Sequence, residues 1–330
     1  MTINEIAKMA GVSRATVSRY LNDGYVSEEK REKIRAVIEQ TGYEPSAQAR
    51  QLRSNCTRLI GVILPKINSV SVSRMVAGIS QVLAAQDYQI LLGNTDNDPA
   101  KELKFFSVFQ ANRVDGIILI GTVITEEHKR FIRESGIPVV VMGQCVKECS
   151  CVYHDDYGAA KALTAVLLRH AKHPGMIGVF EKDVATGVQR KKGFADALQD
   201  AGYTFDEEND REIAEFSMQS GYKHMRALLQ KKPDIDAVFC ATDSIAFGAM
   251  AYLHEQGRKI PEEICLTGIG DNEMGEVAAT KLTTAHYYYK TSGEEAANML
   301  LEVIADGGRS RREVKMGFAI KEKDSTLPMP

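Results

Sequence analysis

The sequence predicts a small all-α helix-turn-helix head followed by a bilobed α/β body of two doubly wound parallel sheets, and three observations predict it. Apolar residues recur at helical spacing through the first 44 residues, with no strand-like run among them. From residue 58 onward, short and almost wholly apolar runs alternate with amphipathic stretches, the pattern of parallel strands covered by helices on both faces. That alternation restarts near residue 157, so the body divides into two similar halves.

The head opens on Thr2, a good N-cap residue with Glu5 three positions on, the arrangement in which side chain and backbone satisfy each other's free N–H groups. Ile3, Ile6, Ala7 and Ala10 give the first helix a buried face. Gly11 stands where the chain must turn sharply, with φ > 0. Ser13 caps a second helix, and Thr16, Val17, Tyr20 and Leu21 fall toward its inward side. Two such helices form an αα-hairpin, or a helix-turn-helix whose second helix enters the major groove of DNA. The outward residues favour the second reading, because Ser13, Arg14, Ala15, Thr16, Ser18, Arg19 and Asn22 offer hydroxyls, an amide and two arginines. Hydroxyls and amides hold phosphates, and arginine makes a bidentate bond to guanine. An ordinary solvated helix would carry Glu and Lys there instead. Arg14, Ala15 and Arg19 are therefore expected at base edges, with Thr2, Ser13, Thr16, Ser18 and Asn22 on phosphates.

Ser27 starts a third helix whose Ile34, Val37 and Ile38 close a three-helix core, and Gly42 suits its left-handed end. Residues 45–54 lack a full apolar stripe and would not stay helical alone. They read as a linker, or as a hinge helix that orders on DNA with Leu52 as an apolar wedge in the minor groove.

Here the chain resembles the LacI/GalR (lactose and galactose repressor) family. The resemblance is carried by Thr2-Ile3, Glu5-Ile6-Ala7, Ala10-Gly11-Val12-Ser13, Thr16-Val17-Ser18-Arg19 and Leu21-Asn22. Val26-Ser27, Gly42-Tyr43, Pro45-Ser46, Ala49-Arg50 and Leu52 extend it, and it continues through the body. It implies a periplasmic-binding-protein-like body that binds an effector in a hinged cleft.

In the first half of the body, strands are expected at 58–65, 88–94, 114–120 and 138–142, with helices at 72–86, 101–112 and 126–135. In the second half, strands are expected at 175–180, 237–241 and 265–270, with helices at 157–171, 187–201, 217–230 and 244–256. Helix 293–304 and segment 313–320 are expected to return to the first half, as the resemblance implies. The domain boundaries that follow are 1–44 for the head and 45–58 for the hinge. The first lobe takes 59–156 with 288–319, and the second takes 157–287 with 320–330.

Ligands of such sheets bind outside the carboxyl ends of the strands. Those ends offer Lys66 and Gln144 in the first half, and Thr186, Arg190, Thr242, Asp243 and Asp271 in the second. Such groups grip adjacent sugar hydroxyls in bidentate geometry, while Phe216, Tyr287 and Tyr289 add flat faces for a pyranose ring. Asp243 reads first as a helix N-cap and second as a ligand group, and alternation along a strand makes Tyr288 the core residue if Tyr287 and Tyr289 face the ligand. The resemblance implies that Arg190 of Thr186-Gly187-Val188-Gln189-Arg190 and Asp271 of Gly268-Ile269-Gly270-Asp271 grip the effector, with Phe216 beside it. Two departures stand out. Lys66 follows Pro65 where many members carry Asp, and Gln144 stands where others have Asp or Arg. A lysine at the cleft rim would pair with a phosphate, so the effector is read as a sugar or a sugar phosphate.

Composition bounds the other readings. The chain has 330 residues, 44% hydrophobic and 26% charged, with a formal charge of −3. Residues 1–58 hold ten Lys/Arg against seven Asp/Glu, which gives +3 there and −6 over the rest. A basic head on an acidic body fits local phosphate contact that weakens as salt rises. No apolar run approaches the ~18 residues of a membrane span, and a cytoplasmic protein is expected. Six scattered cysteines make no disulfide framework, and Cys145, Cys149 and Cys151 lack paired ligands for a metal. Seven isolated histidines, with no nucleophile elbow or Walker loop, speak against the alternative of a sugar- or nucleotide-metabolising enzyme. A corepressor-dependent regulator that responds to a non-sugar metabolite is the other alternative. No catalytic, cofactor or metal site is expected. The expected partners are double-stranded operator DNA, a small-molecule effector and a second copy of the chain. Dimer is favoured over tetramer because 321–330 carries no heptad run.

Overall fold

The computed structural model describes residues 1–22, 24–43 and 56–327. The chain forms two compact units, Met1–Arg58 and Leu59–Pro330. Of the expected hinge 45–58, residues 45–55 with Leu52 lie outside the described residues.

In the first unit, α1 (Ile3–Met9) starts from the full capping box: the Thr2 hydroxyl accepts from the Glu5 N–H and the Glu5 carboxylate accepts from the Thr2 N–H at 2.7 Å. Gly11 turns the chain with φ 61°, and Ser13 caps α2 (Arg14–Tyr20). Ser27 precedes α3 (Glu28–Thr41), which ends at Gly42 in the left-handed region. Ile6, Val17 and Ile34 are fully buried where the three helices meet.

The second unit contains two six-stranded sheets. In the first lobe the elements are β1 (Leu59–Leu64), α4 (Val70–Ala84), β2 (Gln89–Asn94), α5 (Pro99–Ala111), β3 (Gly116–Ile120), α6 (Glu126–Glu134), β4 (Val139–Met142) and β5 (Ser150–His154). The second lobe runs α7 (Asp156–Leu167), β6 (Pro174–Gly178), a π-helical turn (Val184–Gln189), α8 (Arg190–Asp200), β7 (Arg211–Ile213), α9 (Met218–Lys231) and β8 (Ala237–Cys240). It continues with α10 (Asp243–Glu255), β9 (Cys265–Ile269), α11 (Met274–Val277) and β10 (Thr283–Tyr287). Then α12 (Tyr289–Ala305) and β11 (Glu313–Met316) return to the first lobe, and β12 (Phe318–Lys321) joins the second.

Strand order is β2-β1-β3-β4-β5-β11 in one sheet and β7-β6-β8-β9-β10-β12 in the other. Each order reverses beside its first strand, which places a topological switch point in each lobe. All pairings are parallel except β10 with β12. The last crossing falls at Gly317, between β11 and β12, whereas the sequence reading placed it after residue 319. Three strands escaped that reading. β7 is three residues long, while β5 and β10 carry polar Ser150, His154 and Thr283 among their apolar residues, so neither gives a clean hydrophobic run.

Two helices clamp the first lobe together. Cβ atoms added at Gly78 of α4 and Gly293 of α12 would lie 2.0 Å from the Lys290 carbonyl oxygen and 2.1 Å from the Met75 carbonyl oxygen, so the two backbones touch only because both residues are glycine.

Candidate functional site

On the head, α2 turns Val17 inward and leaves Arg14, Ala15 and Arg19 exposed on the opposite side, the arrangement a groove-reading helix needs. Ser18 and Thr16 are half-buried at its flanks, while Thr2, Ser13 and Asn22 are exposed. Some of the expected phosphate ligands are engaged locally. The Ser13 and Thr16 hydroxyls lie 2.9 Å apart, and the Asn22 amide donates to the Ser18 carbonyl at 2.7 Å. Their N–H and O–H groups are thereby held in fixed directions at the two ends of the helix.

In the body, three segments cross between the lobes: β5 into α7, β10 into α12, and β11 into β12. The most polar part of the core gathers around the first two. Arg190, at the start of α8, is 6% exposed and puts Nε 2.7 Å and a terminal nitrogen 2.6 Å from Oδ1 of Asp156. Its other terminal nitrogen donates to the Ala241 carbonyl at the end of β8. Burial opposes the guanidinium charge, but Asp156, Tyr287 and Tyr289 hold it firmly protonated. The Tyr287 hydroxyl donates to the same Asp156 oxygen at 3.1 Å, and the Arg190 guanidinium lies 5.6 Å from the Tyr287 ring centre. His154 stacks on Tyr287 with ring centres 4.5 Å apart, and Tyr289 meets His154 edge-on. Burial pushes the His154 imidazole down to about 4, so it is neutral at pH 7.

Arg190 is thus held at the lobe crossing by Asp156, an acid that no local motif singles out. One expectation is corrected. Tyr288 is not a core residue: it is 44% exposed, while Tyr287 and Tyr289 are buried. Strand β10 ends at Tyr287 and α12 begins at Tyr289, so strand alternation does not run through the three tyrosines; Tyr287 and Tyr289 both pack against His154 at the crossing.

A second group surrounds Asp243. Thr242 is the N-cap of α10, its hydroxyl accepting from the Ile245 N–H at 3.3 Å, so Asp243 is not the capping residue. Instead Asp243 is buried against β9 and β10. Oδ1 accepts from the Thr284 hydroxyl at 2.6 Å and Oδ2 from the Asn272 N–H at 2.7 Å. Burial pushes its carboxyl up to about 6, against those two hydrogen bonds. Gly268 makes room, since a Cβ there would lie 2.4 Å from Oδ1 of Asp243. Next to it Asp271, at φ 50°, accepts from His286 Nδ1 at 2.7 Å and Lys321 Nζ at 2.6 Å. Despite partial burial, Lys321, His286 and Lys323 hold its carboxyl below the usual range.

Besides the stack of His154 on Tyr287, two polar contacts also join the lobes. The Gln144 amide, after β4, donates to Oδ1 of Asp183 at 2.8 Å and accepts from the Ala185 N–H at 3.3 Å. Asp183 also accepts from the Thr186 N–H at 3.0 Å, and its burial raises its carboxyl. Arg74 of α4 donates to the Asp271 carbonyl at 3.0 Å and pairs with Glu273 at 3.3 Å. The sequence reading expected an α-helix from residue 187. Residues 184–189 form a π-helical turn, and Gly187 packs so closely that a Cβ would lie 2.3 Å from the Phe180 carbonyl oxygen.

Lys66 and Phe216 stand apart from these groups. Lys66 is partly exposed near Asp96, whose carboxyl is lowered by Lys101 and Asn94 with a smaller contribution from Lys66. Phe216 is half-buried, edge-on to Phe180 at 5.8 Å. Among the described residues no grouping of His, Cys, Asp or Glu suits a metal ion, and no helix is long and apolar enough to cross a membrane.

Comparison with known proteins agrees with both units. Residues 2–46 match the model of the bacterial regulatory proteins, lacI family. Residues 57–323 match that of the periplasmic binding proteins and sugar binding domain of the LacI family. The chain is 32% identical to the sucrose operon repressor of Staphylococcus xylosus, over 92% of this chain and 93% of that one. It is 33% identical to catabolite control protein A of Staphylococcus aureus, over 99% of each. Among solved structures it is similar to the transcriptional regulator CelR–cellobiose complex, with a TM-score of 0.76 and 26% identity over 98% of this chain and 99% of that one.

Proposed function

The chain belongs to the LacI family of bacterial regulatory proteins, and from that premise we propose that it is a cytoplasmic repressor of carbohydrate-utilisation genes. It binds a palindromic operator as a homodimer, and a sugar or sugar phosphate between the lobes sets its hold on that operator. A two-fold dimer presents two copies of α2, which matches half-sites one helical turn apart. The names of the sucrose operon repressor and the cellobiose complex support a carbohydrate effector.

The observation that carries this reading is the pair of direct inter-lobe contacts, Gln144 with Asp183 and Arg74 with Asp271. Both lie at strand ends that the sequence marks as ligand-facing. A ligand competing for Gln144 or Asp271 changes the energy of the lobe arrangement, and only such a differential interaction can shift a conformational equilibrium. Rotation of the lobes then alters the spacing at which residues 45–58 leave the body, and so whether a hinge helix with Leu52 orders on DNA. Arg14, Ala15 and Arg19 read base edges while the capped helix ends hold phosphates. A screen of mono- and disaccharides, with and without phosphate, by thermal shift and then by operator binding tests the proposal. A ligand that raises the melting temperature and changes operator affinity supports it, and a chain indifferent to every sugar contradicts it.

A further inference from the structure

Three of the six cysteines, Cys145, Cys149 and Cys151, fall in one short stretch that the regulator reading does not use. They sit where β4 returns to the start of β5 through a loop that also carries Gln144, which reaches Asp183 in the other lobe. All three are free thiols in this structure.

The loop is pinned to β5 on both sides of Cys145. The Gly143 N–H donates to the Val152 carbonyl at 2.9 Å, and the Cys151 thiol donates to the Val146 carbonyl at 3.8 Å. Cys145 is thus held over β5, where its thiol meets the Cys151 thiol and the Tyr153 hydroxyl side chain to side chain. Glu313 of β11, the register partner of Cys151, completes the cluster. Its carboxylate accepts from the Tyr153 hydroxyl at 2.5 Å and meets the Cys145 thiol. Cys145 is exposed and open to a small oxidant, whereas Cys151 is fully buried in the apolar cluster of Val141 and Val146.

We infer that Cys145 and Cys151 are a reversible disulfide pair, and that closing the disulfide loosens the Gln144 contact between the lobes. The oxidant is a peroxide. The Cys145 thiolate attacks one oxygen of hydrogen peroxide, the O–O bond breaks, and Cys145 sulfenic acid and one water form. The Cys151 thiolate then attacks the Cys145 sulfur, so the S–S bond forms as the S–O bond breaks and a second water leaves. Two thiols and one peroxide give one disulfide and two waters, with two electrons passed from sulfur to oxygen. Partial burial and Glu313 push the Cys145 thiol up, and burial pushes that of Cys151 up to about 11, so the pair reacts slowly near pH 7 and answers sustained oxidation.

An S–S bond is about 2.05 Å long, far shorter than any contact between unbonded thiols. Closing it takes the Cys151 thiol off the Val146 carbonyl and draws Cys145 toward β5. Gln144, the preceding residue, donates to Asp183 at 2.8 Å and to the Thr122 carbonyl at 3.0 Å, and hydrogen bonds of that length tolerate little displacement. The disulfide and the Gln144 contact therefore compete. Any consequence for DNA binding rests on the proposed function, whereas the disulfide and its effect on Gln144 do not.

The test treats the full chain with hydrogen peroxide, blocks the remaining thiols with iodoacetamide and maps tryptic peptides. Cleavage after Lys147 separates Cys145 from Cys149 and Cys151, so the disulfide is read as peptide 134–147 linked to peptide 148–161 and split by dithiothreitol. The link is expected in the wild type and in Cys149→Ser, and at least tenfold less of it in Cys145→Ser, a change at an exposed position. Melting temperatures of the reduced and oxidised forms then read the coupling to Gln144. Closing a loop raises the melting temperature, but in the wild type it also costs the Gln144 contact. The shift on oxidation is expected to lie about 2 °C or more higher in Gln144→Ala, which has no such contact to lose. No linked peptide, a link that Cys149→Ser abolishes, or equal shifts in the wild type and Gln144→Ala overturns the inference. None of these measurements uses operator DNA or a sugar, so failure here is distinct from failure of the regulator reading.

Discussion

Arg190 and Asp156 form a buried ion pair across the start of two helices, with two guanidinium nitrogens within 2.7 Å of one carboxylate oxygen. The Tyr287 hydroxyl shares that oxygen, so the pair ties α7 and α8 of the second lobe to the strand that crosses into α12.

Asp156→Asn is expected to destabilise the body by about 3–5 kcal/mol, because it leaves a buried guanidinium without its counter-charge. Chemical denaturation followed by circular dichroism checks this. A loss below about 1 kcal/mol would mean that the pair is held together in solution far less tightly.

Stability against pH separates two buried groups at the lobe crossing and the Asp243 site. Asp243 has its folded pKa raised to about 6 from 3.8, so its burial lowers stability as pH rises from about 4 to 6. His154 is lowered to about 4 from 6.5, so its contribution is present above pH 6.5 and lost as pH falls toward 4. The two oppose each other between pH 4 and 6. Asp243→Asn is expected to make stability climb more steeply with pH in that window, and His154→Gln to flatten the climb. Melting temperatures across that window for both variants decide it.

Gly268→Ala puts a methyl group 2.4 Å from Oδ1 of Asp243 and 3.0 Å from its Cα. A cost of about 1–3 kcal/mol is expected, since neither β9 nor the start of α10 can give way cheaply. Combining it with Asp243→Ala should recover part of that loss.

Much of this architecture was legible in the sequence. Thr2, Gly11, Ser13 and Gly42 act through local backbone geometry, which a few neighbouring residues determine, and each takes the role its type and position predict. The strand and helix alternation follows from burial on both sheet faces. Site geometry was less legible, because it depends on partners far along the chain. Asp156 meets Arg190 34 residues away and Tyr287 131 residues away, and no local pattern announces either contact. The assignment of Tyr288 to the core failed for a related reason. Alternation holds only within a strand, and β10 ends at Tyr287, so the crossing into α12 and not the pleat decides which tyrosines are buried.

On the head, Arg14→Ala and Arg19→Ala are each expected to lower specific operator affinity by about 1–3 kcal/mol and to relax discrimination at one base pair. Fluorescence anisotropy with operator variants measures both. A uniform loss across all sequences would assign the arginine to phosphate instead.

Leu52→Ala is expected to reduce both specific affinity and operator bending if the hinge segment wedges into the minor groove. Unchanged affinity and bending by gel mobility would remove the wedge.

The most direct test is operator affinity of the wild-type chain and of Arg190→Ala, measured by anisotropy across a titration with the sugar or sugar phosphate that thermal shift selects. The wild type should change affinity by roughly fivefold or more, and the folded variant should bind operator but ignore the ligand. An operator affinity that the ligand leaves unchanged in the wild type, or changes equally in both, would contradict ligand control through the lobe crossing.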